Sequence, residues 1–360
     1  MAARALRAAA RNAARAVDNY PNSEPPASAV CYLCLNRGDE PLVRNCACRG
    51  SDAGVAHATC LIDYAVAGEA EKPELWRECG LCKQEFFGKA KLALARGCWE
   101  RAKGLPEENF YRLAAADDLA GALQESGDYA TALPLFEEVL RVERRTKGDE
   151  DQNTLTSIYN LARLHDEMKN HELALPLAVE AVRSYRKVYG DGHQETLDAI
   201  DQLANVHKNM MNYNQALPLA IEALAGRRLV LGNSHKNTLA SVNRLAHVHA
   251  SLDNTAEASA LFEEDLSSTR RTLGDEHPET LTSIANAGQS RCRQGNFADG
   301  LPLLREALEG RRKVLGESHR HTQLAAQALR AFVNAAREVR RAGSRDSPTD
   351  EPPEKKRRGR

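Results

Sequence analysis

Seven of the nine cysteines lie within 52 residues, with one histidine in register among them. They run Cys31-x2-Cys34, Cys46-x-Cys48, His57-x2-Cys60 and Cys79-x2-Cys82, separated by eleven, eight and eighteen residues. Donors of this kind bind metal or exchange disulfides. Four close pairs supply eight ligands, which fill two tetrahedral zinc sites with none left over, and an x2 spacing lets two side chains reach one ion from a tight turn. A redox Cys-x-x-Cys would instead be a single motif opening a helix after a strand, and no βαβ pattern surrounds these pairs. The arrangement points to two Zn2+ ions held by Cys31, Cys34, Cys46, Cys48, His57, Cys60, Cys79 and Cys82. His57 alone would pass for an ordinary histidine; its place in the series makes it a ligand.

The rest of the composition fits that reading. A chain of 360 residues that is 42% hydrophobic and 28% charged suits a globular protein of at least two parts. A formal net charge of -1 gives no overall pull toward nucleic acid. No apolar run approaches the roughly 18 to 20 residues that span a bilayer, and the first residues lack the apolar core of a secretory signal. Clustered cysteines in a reducing compartment bind metal more often than they form structural disulfides. Large apolar side chains are few between residues 30 and 88, so metal binding must supply folding energy there.

The order of four Cys, one His and three Cys, with one residue inside the second pair and the closing "CGLCKQEF" at 79–86, resembles the RING-CH (RING-variant) finger of membrane-associated ubiquitin ligases. The PHD finger shares the ligand order but has a wider second pair, a shorter gap to the histidine and a tryptophan two residues before the seventh ligand, where Trp76 stands three before it. The resemblance implies a cross-braced fold, with Cys31, Cys34, His57 and Cys60 on one ion and Cys46, Cys48, Cys79 and Cys82 on the other. It also implies a partner, a ubiquitin-conjugating enzyme, gripped near the first and last ligand pairs. Leu33 and Leu81 match the apolar positions of that grip, and Trp76 is expected to form part of the same apolar surface. Lys83 stands where many RING ligases place a basic residue bridging conjugating enzyme and ubiquitin. Core filler and a solvated lysine remain the alternative roles for these four. Membrane-associated members follow the finger with transmembrane helices, and no such segment occurs in this sequence, so membrane-protein substrates are not implied.

Past the finger the chain becomes periodic. "GDEDQNTLTSIYNLARLH" at Gly148, "GDGHQETLDAIDQLANVH" at Gly190, "GNSHKNTLASVNRLAHVH" at Gly232 and "GDEHPETLTSIANAGQSR" at Gly274 begin 42 residues apart, and "GESHRHTQLAAQ" opens another at Gly316. Equal spacing means a stacked array. In each unit a threonine (Thr154, Thr196, Thr238, Thr280) precedes apolar residues at helical spacing, such as Leu155, Ile158, Leu161 and Ala162. A polar break and a second apolar helix follow, so each unit is a helix hairpin. The recurring glycine suits a C′ position in the left-handed region. Pro134, Pro176, Pro218 and Pro302 are expected in the first turn of the second helix, where they remove no hydrogen bond that would otherwise form.

This repeat resembles the tetratricopeptide repeat, in the 42-residue form of kinesin light chains with its "GxxHPxTL" and "NLAxLY" segments. The resemblance implies first helices lining a concave groove that binds a protein or peptide substrate. Counting by 42 from Asn160 gives Gln202, Arg244 and Asn286; three residues on lie Arg163, Asn205, His247 and Gln289. These are the groove candidates, a solvated helix face being the alternative. His165, His207 and His249 are also in register, but helices pack about 8 to 10 Å apart, too far for them to share an ion. They are read as packing residues. His193, His235, His277 and His319 fall in the inter-repeat turns.

The sequence thus predicts five segments: an Ala/Arg-rich basic leader over 1–27, a RING-CH-type finger over 28–88, a connector helix over 89–103 with a stripe of Leu92, Ala95, Trp99 and Ala102, repeats over 104–343, and a disordered basic tail over 344–360. Arg4, Arg7, Arg11 and Arg15 share one helical face, as in an organelle transit peptide, though the opposite face is nearly all alanine. The tail's "KKRRGR" has the composition of a nuclear import signal. The expected fold is mostly α: a small cross-braced two-zinc finger followed by an α-α superhelix. The expected activity is ubiquitin transfer by positioning, without a nucleophile of the chain's own. A non-enzymatic scaffold with a structural zinc finger is the alternative.

Overall fold

The computed structural model describes residues 33, 42–44, 55–68, 76–78, 85–86, 88–317 and 320–345. The leader, Cys31, Cys34, Cys46, Cys48, Cys79, Cys82, Leu81, Lys83, Phe87, His319 and the end of the basic tail lie outside these residues. Among the described residues there are thirteen helices and one small sheet. Strand β1 (Leu42–Arg44) pairs antiparallel with β2 (Val55–His57), with Leu42 opposite His57, and α1 (Ala58–Gly68) follows directly. Helix α2 (Gly88–Ala102) connects to the repeats.

The repeats are antiparallel hairpins: α3 (Phe110–Ser126) with α4 (Tyr129–Lys147), α5 (Gln152–Glu167) with α6 (His171–Tyr189), and α7 (Gln194–Asn209) with α8 (Tyr213–Leu231). Helix α9 (Lys236–Ser251) packs on α8. The chain divides into two units after Leu252. The second unit holds α10 (Thr255–Leu273), α11 (Pro278–Arg293), α12 (Phe297–Leu315) and α13 (Arg320–Arg345), with α11 packed on α10, α12 on α11 and α13 on α12.

In the first unit the predicted stripe of Leu155, Ile158, Leu161 and Ala162 is buried, as are Leu197, Ile200 and Leu203 one repeat on. The second helices present alanines at the seam: Ala174, Ala178 and Ala181 are fully buried against these leucines. Small side chains let the backbones approach. At Gly226 an added Cβ would lie 2.4 Å from Leu197, and at Gly310 in the second unit 2.3 Å from Leu281.

The helix ends explain two features of the sequence and correct a third. Asn109 and Asp151 cap α3 and α5 by accepting from the backbone N–H groups of Tyr111 (2.9 Å) and Asn153 (3.0 Å). His235 and His277 of the inter-repeat turns do the same through Nδ1, each at 3.2 Å. Gly148, Gly190, Gly232, Gly274 and Gly316 all have φ between 82 and 86° with ψ from 164 to 172°. That is not the left-handed helical conformation expected at C′ but an extended one at positive φ, which is essentially closed to every residue except glycine. The prolines are the correction. Helices α4, α6, α8 and α12 begin five residues before Pro134, Pro176, Pro218 and Pro302, so these sit in the second turn and each removes one helix hydrogen bond. The polar break that looked like a loop already contains the cap and the first turn.

The turn inside each hairpin also repeats. Gly127, Lys169, Met211, Asp253 and Gly295, 42 residues apart, have φ of 83, 64, 61, 58 and 81°. The three non-glycine residues carry left-handed strain. Met211 is 74% exposed and loses no packing when shortened, so Met211→Gly should raise stability by roughly 0.5 to 1 kcal/mol in denaturant melts. Gly190→Ala should lower it by about 1 to 3 kcal/mol although an added Cβ there meets nothing within 4 Å, the loss being conformational alone.

Candidate functional site

Of the eight predicted zinc ligands, His57 and Cys60 are among the described residues. β2 ends on His57 and α1 begins at Ala58, so strand and first helical turn bring the two side chains together, with Cys60 Sγ 3.6 Å from His57 Nδ1. Two donors of one tetrahedral zinc ion, with Zn–S near 2.3 Å and Zn–N near 2.0 to 2.1 Å, would be about 3.5 Å apart. His57 is buried at 5% exposure. In sequence, Cys46 and Cys48 lie between the paired strands, and Cys79 and Cys82 lie between Glu78 and Glu85, which form an antiparallel bridge reinforced by a 2.8 Å bond from Phe86 N–H to the Arg77 carbonyl.

Of the predicted conjugating-enzyme contacts, Trp76 and Leu33 are among the described residues, and both belong to one small apolar core. Trp76 is buried at 7% exposure with Leu61, Phe86, Ala90 and Leu94, and Leu33 packs half-buried against them. Helix α2 has two working faces. Ala90, Leu94 and Cys98 turn to this core, while Leu92, Ala95 and Trp99, the stripe visible in the sequence, pack toward the repeats. Gly97 allows the α1 contact, since a Cβ there would stand 3.0 Å from Ile62. Two ion pairs cross to α3: Arg77 with Asp118 and Lys91 with Glu125, both at 2.6 Å.

On the first helices of the repeats, the groove candidates bond to one another's helices. Asn160 Nδ2 donates to Asp117 (3.2 Å), and Arg163 to Gln124 (3.0 Å). Gln202 donates to the Tyr159 carbonyl (3.2 Å), and Asn205 to Asp166 (2.7 Å). Arg244 donates to the Asp201 carbonyl (3.0 Å) and also pairs with its carboxylate. Each bond reaches back to the preceding first helix. His247 is exposed, and in the second unit Asn286 and Gln289 are half-buried. Sequence reading missed the acceptors Asp117, Asp166 and Asp201. Their signal was a separation of 39 or 43 residues from the donors, one repeat displaced by part of a helical turn. Of the registered histidines, His165 is buried, and burial lowers the imidazole pKa of both His165 and His207, as suits packing residues.

Comparison with known proteins identifies this architecture. A family model described as tetratricopeptide repeat matches residues 111–187, 195–267 and 238–313, together more than half of the chain. The chain belongs to the tetratricopeptide-repeat family. Among solved tetratricopeptide structures, it is similar to a kinesin light chain of Podosopora anserina with nearly identical repeats: 25% identity, TM-score 0.51, covering 56% of this chain and 95% of that one. The BtubC protein (BKLC) of P. vanneervenii shares the fold at 18% identity and TM-score 0.50, covering 75% of this chain and 97% of its own. A Rap protein complexed with competence and sporulation factor shares it at 13% identity and TM-score 0.50, covering 80% and 89%. No curated protein matches the chain. The tetratricopeptide repeats, of kinesin-light-chain type, make the chain suited to protein–protein interaction. No helix among the described residues is long and apolar enough to cross a membrane.

Asp166 holds two of these repeats together. It is 6% exposed and accepts from Asn205, from Asn209 (3.0 Å) and from His171 (2.9 Å). Asp166→Ala should therefore cost about 1 to 3 kcal/mol in chemical denaturation by leaving several donors short of an acceptor. Asp166→Asn, which keeps one acceptor oxygen, should lose less.

Proposed function

We propose that the chain is a zinc-binding ubiquitin ligase of RING-CH type, in which the finger recruits a charged ubiquitin-conjugating enzyme and the tetratricopeptide repeats select the protein substrate. The observation that carries this reading is the complete eight-ligand series, supported by the His57–Cys60 separation of 3.6 Å that suits one shared tetrahedral ion. Cys31, Cys34, His57 and Cys60 would hold one Zn2+, and Cys46, Cys48, Cys79 and Cys82 the other. The ions would supply folding energy to a segment with few large apolar residues, not reaction chemistry. Transfer would rely on positioning, for which the chain needs no nucleophile. Leu33, Leu81, Trp76 and Lys83 are the proposed contacts to the conjugating enzyme. Asn160, Arg163, Gln202, Asn205, Arg244, His247, Asn286 and Gln289 belong to the face proposed to meet the substrate.

One observation favours a second reading, a non-enzymatic scaffold in which the finger only caps the repeats. Trp76 is buried in the core that joins the finger to α2 and so has a structural reason to be there. The two readings separate experimentally. Metal analysis of the purified chain should return two zinc ions, and chelation should unfold the finger region while α3 to α9 keep their circular dichroism. A stoichiometry well below two rejects the cross-brace. The zinc-loaded chain should form ubiquitin conjugates on itself with at least one member of a panel of conjugating enzymes, and Leu33→Ala should reduce that activity about tenfold or more without releasing zinc. If no enzyme in the panel supports transfer, the scaffold reading stands.

A further inference from the structure

A cavity of about 210 Å³ opens between α3 and α4 of the first hairpin and α5 of the second, lined by Asp117, Glu143, Asn153 and Ser157 among others. That is smaller than the few hundred Å³ of a cofactor pocket and suits a single side chain. The chain itself shows what occupies the same place two repeats later. Adding 84 to each lining residue gives Asp201, Arg227, Asn237 and Ser241. There the Arg227 side chain, 5% exposed, donates to the carboxylates of Asp201 (2.8 Å) and Asp198 (2.5 Å), the Asn237 carbonyl (3.1 Å) and Ser241 Oγ (2.5 Å). Between the two, Tyr185 fills the slot at 3% exposure. The first site keeps three of the arginine's neighbours, Asp117, Asn153 and Ser157, has Ala114 where Asp198 stands, and has Glu143 where the arginine would start. The slot is left open and lined by a second carboxylate.

We propose that this cavity receives an arginine side chain of a partner protein, whose guanidinium takes the place that Arg227 occupies in the third hairpin. The charges around it allow this. Arg77 is paired with Asp118 (2.6 Å), and Lys147 with Glu143 (3.2 Å), which also accepts from Ser157 Oγ (2.6 Å). Asp117 is met only by the neutral amide of Asn160 among its hydrogen-bonding partners here. Burial, with Asp118 and Glu143 nearby, pushes its carboxyl up to about 6 against the opposing pull of Arg77 and the Asn160 hydrogen bond, so a further cation at the site adds charge stabilisation. A planar, always-charged fork fits paired carboxylates better than a lysine does. The mouth points to a protein ligand: Phe110, which lines the cavity, is 64% exposed and stacks edge-on with Tyr111, 69% exposed, at 5.8 Å. Exposed aromatics beside a charged socket are the composition of an interface, not of a metabolite site.

The inference rests on the repeats being the partner-binding part of the chain; it does not need the finger. Its test is titration calorimetry of the full chain with end-blocked Gly-Gly-Arg-Gly-Gly and the same peptide carrying citrulline, which keeps the shape and loses the charge. The arginine peptide should bind at least about tenfold more tightly than the citrulline peptide, a difference of roughly 1.4 kcal/mol. Affinity should fall as pH drops through about 6, because binding a cation to protonated Asp117 requires release of a proton. Glu143→Arg should abolish binding while preserving the thermal transition, since the new side chain fills the slot and can reach Asp117, Asn153 and Ser157 as Arg227 reaches their counterparts. Should that variant not fold, Asp117→Asn should show the same loss. Equal binding of the citrulline peptide, binding unchanged by Glu143→Arg or Asp117→Asn, or no binding at millimolar arginine peptide would each overturn the assignment. A protein partner captured undiminished by Glu143→Arg would remove the pocket and leave the repeats as a partner-binding array, whereas failure to capture any partner would remove that broader reading.

Discussion

A two-helix hairpin cannot bury its apolar face alone, so every hairpin of the first unit must find its neighbour at one fixed offset. That offset is 42 residues in sequence, and the structure enforces it from two sides. On the apolar side, the leucines of one helix enter the space left by the alanines of the next, with Ala174, Ala178 and Ala181 fully buried. On the polar side, Asn160, Gln202 and Arg244 each donate one repeat back. A register slip would bury donors without acceptors as well as open cavities. Because the register is strict, a residue type can change in one repeat while its surroundings stay. This is how a single slot comes to hold Glu143, Tyr185 and Arg227 in turn.

The same logic governs the join to the segment before the repeats. Helix α2 buries one stripe against Trp76 and Phe86 and the other toward the first hairpin, while Arg77 and Lys91 pair across to α3. The ion pairs are largely exposed and worth little individually; the apolar burial does the fixing. For a ligase that works by positioning, a rigid join would matter because it sets the distance from conjugating enzyme to substrate. For a scaffold it would simply cap the array. The join is compatible with both.

Much of this was legible beforehand. Leu155, Ile158, Leu161 and Ala162 announced a buried helical stripe by spacing alone, and the glycines at 42-residue intervals announced turns that tolerate no side chain. The prolines misled because proline is read as a boundary marker. Here the helix starts five residues earlier, just after Asp128 or Asn170, and neighbouring hairpins stabilise it enough to absorb one missing hydrogen bond per repeat. Likewise, Asn160 and Arg163 stood out as repeated polar residues, but their acceptors were missed, since Asp117 and Gln124 lie 43 and 39 residues away on another helix and not at the 42-residue repeat.

The sequence by itself determined the spacing of the cysteines and His57, the helical-hairpin class, the repeat length and which stripe of each helix is apolar, because all of these depend on residue type and local periodicity. Tertiary structure decided the rest: that α2 has two buried faces, that Trp76 is core, that the polar ladder runs between helices, and that a cavity opens at Glu143. Each of these depends on which side chain stands opposite which across a helix interface. That is set by packing distance, a quantity with no trace in the order of residues along one strand of the chain.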